Sequence, residues 1–212
     1  MSKIFIAIPS TEQVVAEFAQ CLSMSTAYLV SEGHTINVVL NISSYVAKNR
    51  RELVEFFLKT DYEYIWWLDY DHTFPVDACS RLLSHNVDIV GCNYRKRRFP
   101  NPTFIAHRSD RKDGVVTEGG ISVELNDDSP PTEFVDVIGM GCCLVKRNVY
   151  ENIGPPYYIM DYDKKKKLEI GEDIYFCQKA KNKGYKVLCD NELSKQISHV
   201  GIYHFRYKLD FT

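Results

Sequence analysis

The sequence lacks a long apolar run, an excess of charge of one sign, a Cys-x-x-Cys pair and any internal repeat. Each absence closes off a class of function. The longest nearly apolar stretch, Val137–Val145, is far short of the roughly 18 residues that a bilayer-spanning helix needs. Lys3 followed by Ile4–Ile8 is too short for a signal peptide, and Pro9 ends it. A soluble chain with no membrane span is therefore expected. Lys and Arg number 26 against 28 Asp and Glu, and a net charge of −2 argues against a dedicated nucleic-acid binder. The seven cysteines form no regular framework and no zinc-ligand spacing. Most sit among apolar neighbours, as small hydrophobes do, so a reducing compartment such as the cytoplasm fits best. After the first apolar segment, Pro9-Ser-Thr-Glu-Gln13 lacks a Gly-rich phosphate loop, which argues against nucleotidyl transfer.

What is present is an ordinary globular composition. The chain has 212 residues, 45% apolar and 25% charged, enough for one large domain or two tightly joined lobes. Lys3–Pro9 reads as a buried strand, Glu12–Ser31 as a helix, Thr35–Leu40 as a strand and Ser44–Thr60 as a helix. Glu63–Leu68 is a third strand, Pro75 suits the first position of a helix running through Leu83, and Asp88–Cys92 is a fourth strand. Such alternation implies parallel crossover units in an open α/β sheet. Beyond Tyr94, Thr103–Ala106, Ile121–Leu125 and Phe134–Val137 read as short strands between polar loops. Gly171–Gly184 then reads as a helix with a C-terminal glycine, leading into strand Lys186–Cys189. Trp66 and Trp67 should point to opposite sheet faces, as should Cys142 and Cys143.

The chemistry is concentrated at the end of the third strand, where Tyr64-Ile-Trp-Trp-Leu runs into Asp69-Tyr70-Asp71. In open α/β sheets, ligands bind at the carboxyl ends of strands. Residues two apart in an extended chain share a side, so the two carboxylates can address one point. Two hard oxygen ligands with phosphate oxygens suit Mg²⁺ or Mn²⁺. The spelling alone is weak, since fifteen Asp in 212 residues give roughly one Asp-x-Asp by chance. A second copy, Asp161-Tyr-Asp163, follows no apolar strand and reads as a solvated acidic loop balancing Lys164–Lys167. Asp69-Tyr-Asp71-His-Thr73 also spells the signature of haloacid-dehalogenase-like phosphatases, with Asp69 as nucleophile. In that family, however, the motif follows the first strand, and here two strand–helix units precede it.

Other elements stand in a definite order around this pair. They are strand Ile4–Ile8 with Pro9-Ser10-Thr11, helix-borne Asn49-Arg50, Asp69-Tyr70-Asp71, Gly139-Met-Gly141 before an apolar strand, Gly171-Glu172-Asp173, and Ser198-His199-Val-Gly201. Together they resemble the GT-A glycosyltransferases over Ile4 to about His204, and the loop composition is similar to that of viral members, including capsid-glycosylating ones. The resemblance implies a single GT-A-like domain over 1–212, with a nucleotide-sugar-binding half (1–94) and an acceptor-side half (95–212). It implies an open mixed sheet, mostly parallel, flanked by helices. It implies a UDP-sugar donor (UDP-glucose or a related sugar), a glycan or glycoprotein acceptor, and Mn²⁺ or Mg²⁺ held by Asp69, Asp71 and His199. Pro9, Ser10, Thr11, Asn49, Arg50, Tyr70 and Arg95 would line the donor side with the acidic pair. Gly139, Gly141, Glu172 and Asp173 would lie on the acceptor side, with Asp173 and Glu172 as the catalytic carboxylates. A viral member would act in the host cytoplasm. The abrupt end at Thr212 leaves a longer multidomain polypeptide open.

Each assignment has a plainer rival. His199 reads equally as a satisfied structural histidine, with His204 as fallback ligand. Arg50 shares a helical stripe with Val46, Leu53 and Phe57, so its guanidinium needs an anion, either the donor diphosphate or an Asp, with Arg51 as the spare. Glu172 and Asp173 open a helix, where the macrodipole alone favours acidic residues. Arg95-Lys-Arg-Arg98 and Lys164–Lys167 read first as solvated loops and second as a grip on an acceptor. A Gln-x-x-Arg-Trp motif of processive members is absent, which favours single-sugar addition. A nucleotide-sugar-binding module without turnover is a further alternative.

Overall fold

Ile4–Ile8 has no exposed residue, and such an all-apolar run suits a strand covered on both faces. In the computed structural model, which describes residues 1–97, 103–109, 120–164 and 167–201, this run is the heart of β1 (Lys3–Ser10). It is followed by α1 (Ala16–Ser31), β2 (Thr35–Ile42), α2 (Val46–Leu58), β3 (Tyr64–Leu68), β4 (His72–Thr73), α3 (Ala78–Ser84) and β5 (Ile89–Gly91). The remainder comprises β6 (His107–Arg108), β7 (Ile121–Ser122), β8 (Thr132–Val135), β9 (Cys142–Lys146), α4 (Arg147–Ile153), β10 (Asp161–Asp163) and β11 (Leu168–Ile170). It closes with α5 (Glu172–Asn182), β12 (Val187–Asp190), α6 (Asn191–Ser194) and β13 (Ser198–His199).

The central sheet has the order β2-β1-β3-β9-β5-β12-β8. Strands β2, β1, β3, β5 and β12 run one way, and only β9 and β8 oppose them. The sheet is thus mixed and mostly parallel. Alternating side chains build a core on each face. Phe5, Ile65, Trp67 and Cys143 pack with Leu53 and Phe57 of α2, Tyr150 of α4 and Phe176 of α5. Ile4, Ile6, Trp66 and Cys142 pack with Phe18 of α1, Leu82 of α3 and Leu193 of α6 on the other side. Each such burial contributes about 1.5–3 kcal/mol, so these strands hold their register firmly. The paired tryptophans and paired cysteines face opposite ways, as the alternation predicts. The buried Trp67 indole N–H is satisfied by Tyr150 Oη at 2.8 Å. Arg147 closes α2 by donating to the carbonyls of Phe57, Leu58 and Tyr62. All seven cysteines are free thiols.

Several expected boundaries move for identifiable reasons. The helix expected from Glu12 starts at Ala16, because Val15 N–H donates to the Tyr70 carbonyl at 3.2 Å and keeps the preceding segment extended. Pro75 opens a turn, accepting from Ala78 N–H at 3.1 Å, and the helix begins at Ala78. The strand expected at Thr103–Ala106 is replaced by a single Arg95–Phe104 bridge. There the Asn93 side chain takes the place of a ladder partner, accepting from Ala106 N–H at 2.9 Å and donating to the Val123 carbonyl at 2.8 Å. Ile121–Leu125 shrinks to Ile121–Ser122. Asp161-Tyr-Asp163 forms one strand of a two-stranded hairpin rather than a loop. Helix α5 stops before Gly184, whose φ of +87° suits glycine. Among the described residues, no helix is long and apolar enough to cross a membrane.

Candidate functional site

The carboxyl ends of β1 and β3 open onto a cleft of about 460 Å³. Pro9, Arg50, Asp69, Tyr70, Asp71, Glu172, Asp173 and His199 all line it, so residues from nearly opposite ends of the sequence converge. A larger groove of about 640 Å³ between α1 and β2 is lined by apolar and small side chains with no titratable group, and offers no comparable chemistry.

The two acidic residues after β3 are served differently. Arg50, on α2, is 3% exposed and donates through Nη2 to Asp69 Oδ1 at 2.9 Å and through Nε to Glu172 Oε1 at 3.3 Å. Its guanidinium also lies 5.4 Å from the centre of the Trp67 ring. Burial alone lowers the Arg50 pKa, but the carboxylates of Asp69 and Glu172 outweigh it and the net direction is upward. Arg50 thereby ties α2, the end of β3 and the start of α5 together. Of the two anions weighed for Arg50, it meets the Asp, with Glu172 as a second.

Asp71 is 4% exposed and meets two imidazoles and one guanidinium. Its Oδ1 lies 3.2 Å from His72 Nδ1, and its Oδ2 lies 2.9 Å from Arg97 Nη2 and 3.5 Å from His199 Nε2. Burial pushes the Asp71 carboxyl up, but hydrogen bonding from His199 and His72 brings it well below the usual carboxylate range. His72 and His199 stack with ring centres 4.4 Å apart, and the Tyr94 ring meets His72 edge-on at 4.3 Å. Burial, followed by the nearby carboxylates of Asp69 and Asp173, raises the Tyr94 pKa and keeps its phenol protonated. Tyr94 Oη accepts from Gly141 N–H at 2.9 Å. The two glycines make room for this ring: a Cβ on Gly139 would lie 2.4 Å from Tyr94 Oη, and one on Gly141 2.5 Å from it. Met140, between them, lines the cleft.

Asp71, His72 and His199 place possible ligand atoms within 4.8 Å of one another. The hydrogen bonds sort their roles. His199 Nδ1 faces the Arg95 carbonyl at 3.1 Å, and a carbonyl only accepts, so Nδ1 carries the proton. Protonated, the ring faces Asp71 Oδ2 with an Nε2–H donor; neutral, the same Nε2 offers a lone pair beside that carboxylate, which is the arrangement a divalent cation between the two requires. A backbone carbonyl orienting the far nitrogen is the usual second contact of a metal-bound histidine. Asp71 and His199 therefore fit a hard or borderline divalent ion that keeps further positions for water or phosphate. His72 spends Nδ1 on Asp71, and its buried Nε2 has no hydrogen-bond partner among the described residues. Asp69, expected as a metal ligand, is not among these three residues and pairs with Arg50.

Some expected donor-side residues turn to other work. Asn49 Nδ2 donates to the carbonyls of Ser10 at 3.2 Å and Asn41 at 2.7 Å, pinning the ends of β1 and β2. Ser10 Oγ donates to the Thr11 carbonyl, and neither residue lines the cleft. Arg51 donates to the Tyr158 carbonyl at 3.2 Å. Arg95 lies over the Phe104 ring at 4.4 Å and lines an adjacent cavity of about 620 Å³, while Lys96 and Arg97 enter the cleft. His204, Arg98, Lys165 and Lys166 lie outside the described residues. Neither His72 nor Tyr94 stands out in the sequence as a site residue, and Arg97 does so only as a member of the basic run Arg95–Arg98. His72 adjoins the acidic pair and carried a readable signal, whereas Tyr94 and Arg97 reach the site only through tertiary contacts.

No family model matches this chain, and no curated protein sequence matches it. The sheet order, the cleft at the strand ends and the solved structures it resembles define a GT-A-like fold. One similar structure is A197 from STIV, with a TM-score of 0.58 and 18% identity over 99% of this chain and 100% of that one. Another is a mutant of Drosophila β-1,4-galactosyltransferase 7 in complex with manganese, UDP-Gal and xylobiose. It aligns with a TM-score of 0.51 and 16% identity over 95% of this chain and 72% of that one. At such identities the likeness is one of fold.

Proposed function

We propose that the chain is a divalent-cation-dependent glycosyltransferase that moves a hexosyl group from a UDP-sugar, UDP-glucose or a related sugar, to a glycan or glycoprotein acceptor. One observation carries this reading: a cation-hungry Asp71–His199 pair and the carboxylates of α5 share one cleft at the strand ends of a GT-A-like sheet. The manganese, UDP-Gal and xylobiose of the galactosyltransferase structure agree in kind with such a cleft. The resemblance to viral capsid-glycosylating members extends the proposal to a capsid-protein glycan made in the host cytoplasm.

Asp71 and His199 would hold Mn²⁺ or Mg²⁺, which when bound stabilises negative charge on the departing diphosphate as a Lewis acid. Arg50 holds both Asp69 and Glu172, so on this reading the donor-side and acceptor-side carboxylates would be oriented before substrate arrives. Glu172 pairs with Arg50, and Asp173, whose Oδ1 accepts from Ile174 N–H at 2.8 Å, is the carboxylate assigned to the acceptor hydroxyl. Asp173 accepts that proton on a carboxylate oxygen if the reaction inverts, and positions the hydroxyl if it retains. A phosphatase built on Asp69 is disfavoured, because Asp69 Oδ1 already meets buried Arg50 at 2.9 Å.

The test is thermal unfolding across a panel of nucleotide sugars, with and without Mn²⁺, on wild type and Asp71→Ala. A ligand at about 100 times its Kd adds roughly 2.7 kcal/mol, or about 5–10 °C for a domain of this size. A Mn²⁺-dependent shift confined to UDP or a UDP-sugar and lost in Asp71→Ala is expected. Stabilisation by Mg²⁺ with a phosphate analogue, and by no nucleotide sugar, would sink the proposal. Affinity without sugar release or transfer would leave a binding module.

A further inference from the structure

Arg97 occupies an unusual place. Its Nη2 sits 2.9 Å from Asp71 Oδ2, the same oxygen that His199 Nε2 faces at 3.5 Å. Its Nη1 donates to the Val200 carbonyl at 3.3 Å, and Val200 N–H donates to the Asp71 carbonyl at 2.7 Å. Arg97 therefore cross-links Asp71 to the segment that carries His199. The Asp71 side chain is 6% exposed while that of Arg97 is 48% exposed, so the anion is enclosed and the cation stands half in solvent. Arg97 also borders both the cleft and the adjacent cavity, which gives its head group somewhere to go.

We propose that Arg97 is a placeholder cation. In the ligand-free protein it neutralises Asp71 and holds the His199 segment in place. A divalent ion needs the same carboxylate oxygen, and two cations in contact there repel, so the ion displaces the guanidinium. The released Arg97 then pairs with phosphate oxygens, for which its planar fork of donors is suited. This inference rests on the reading of Asp71 and His199 as the metal-holding pair, and it adds the order and coupling of binding. The ion alone binds weakly, since it must evict Arg97 with no new anion to receive it. The ion and a nucleoside diphosphate bind with positive coupling, because the diphosphate supplies that anion.

The experiment is a Mn²⁺ titration of the full chain followed by electron paramagnetic resonance, with and without saturating UDP. Wild type, Arg97→Gln, Arg97→Lys and Asp71→Asn are compared, with circular dichroism to verify folding. Arg97→Gln is expected to tighten binding of Mn²⁺ alone by about tenfold and to shrink the gain from UDP by about tenfold, within the usual range of coupling between sites. Arg97→Lys keeps the charge without the fork, should fall between, and carries the comparison if the Gln variant does not fold. Equal Mn²⁺ affinity in wild type and Arg97→Gln, abolished in Asp71→Asn, overturns the placeholder and leaves the metal reading standing. No Mn²⁺ binding by wild type or Arg97→Gln, with or without UDP, overturns the metal reading and this inference with it.

Discussion

Asp69 and Asp71 stand two residues apart and line the same cleft, yet their counter-charges are anchored in opposite ways. The partner of Asp69 is Arg50, whose side chain is 4% exposed and which also holds Glu172. The cationic partner of Asp71 is Arg97, 48% exposed, with two imidazoles alongside. A buried guanidinium between two carboxylates cannot leave without stranding both. An exposed one can. The Asp69 side is therefore frame and the Asp71 side is exchangeable, and what separates them is the burial of the cation rather than the identity of the anion.

Removing the buried cation should produce the largest effect. Arg50→Ala leaves Asp69 and Glu172 without their partner and opens space beside Trp67. Breaking a buried pair in this way costs about 3–5 kcal/mol. Chemical denaturation should show that loss, and the melting temperature should fall by about 6–20 °C. Adding Asp69→Asn and Glu172→Gln to that variant should recover part of it. A single variant melting within about 2 °C of wild type would erase the proposed difference between frame and exchangeable side.

Asp71→Asn comes next, and its effect falls on binding. Affinity for Mn²⁺ should drop by on the order of 100-fold. Its contribution to stability without metal depends on pH, with a definite sign. The folded Asp71 carboxyl titrates below its ordinary value of 3.8, so its stabilisation is present above that value. It is lost as pH falls through the lower folded value. Urea midpoints of wild type and Asp71→Asn, measured in a chelator, should differ most near neutrality and converge in strong acid. A gap that does not change with pH would show that the two imidazoles do not hold Asp71 ionised.

Gly141→Ala tests the packing behind the exchangeable side. The new Cβ would lie 2.5 Å from Tyr94 Oη and 2.8 Å from His72 Cε1, so one of the rings must shift. Overpacking of this kind costs about 1–3 kcal/mol and should weaken Mn²⁺ binding through the displaced His72. Tyr94→Phe removes the hydroxyl that the methyl meets. Tyr94 Cζ and His72 Cε1, each 2.8 Å from the new Cβ, remain, so the double variant should regain only part of the stability lost by Gly141→Ala, and the absence of any recovery would place the clash on those two carbons.

The frame was more legible in sequence than the exchangeable side, and the reason is physical. Ile4–Ile8 and Tyr64–Leu68 announce themselves because fully covered strands must be apolar throughout, and their order places Asp69 and Asp71 at a ligand-binding edge. Arg50 stood out because a guanidinium on an apolar stripe demands an anion, and it found two. Tyr94 carries no local signature, and Arg97 only that of a basic run. Tyr94 matters because Gly141 leaves it room, and Arg97 because an irregular segment returns it to Asp71. Asn49 and Ser10 were read as donor contacts, yet they join the ends of β1 and β2, a backbone need invisible to motif order. The same limit hid α4 and α6, which are short and whose burial is decided by the elements they cover.

The smallest effect should come from the second Asp-Tyr-Asp, which shares its spelling with the first and nothing of its placement. Asp161 and Asp163 lie on β10, paired with Ile170 and Leu168 of a two-stranded hairpin, and neither lines the cleft. Asp161 is exposed and accepts from the Tyr162 N–H at 2.7 Å, a local contact that Asn reproduces. The double change Asp161→Asn with Asp163→Asn should leave stability within about 0.5 kcal/mol of wild type. Mn²⁺ affinity should be unchanged in the same resonance titration. A loss matching that of Asp71→Asn would move the ion to the hairpin. An acidic pair would then be capable of taking a metal without a histidine oriented by a backbone carbonyl, and the case for His199 would lose its main support.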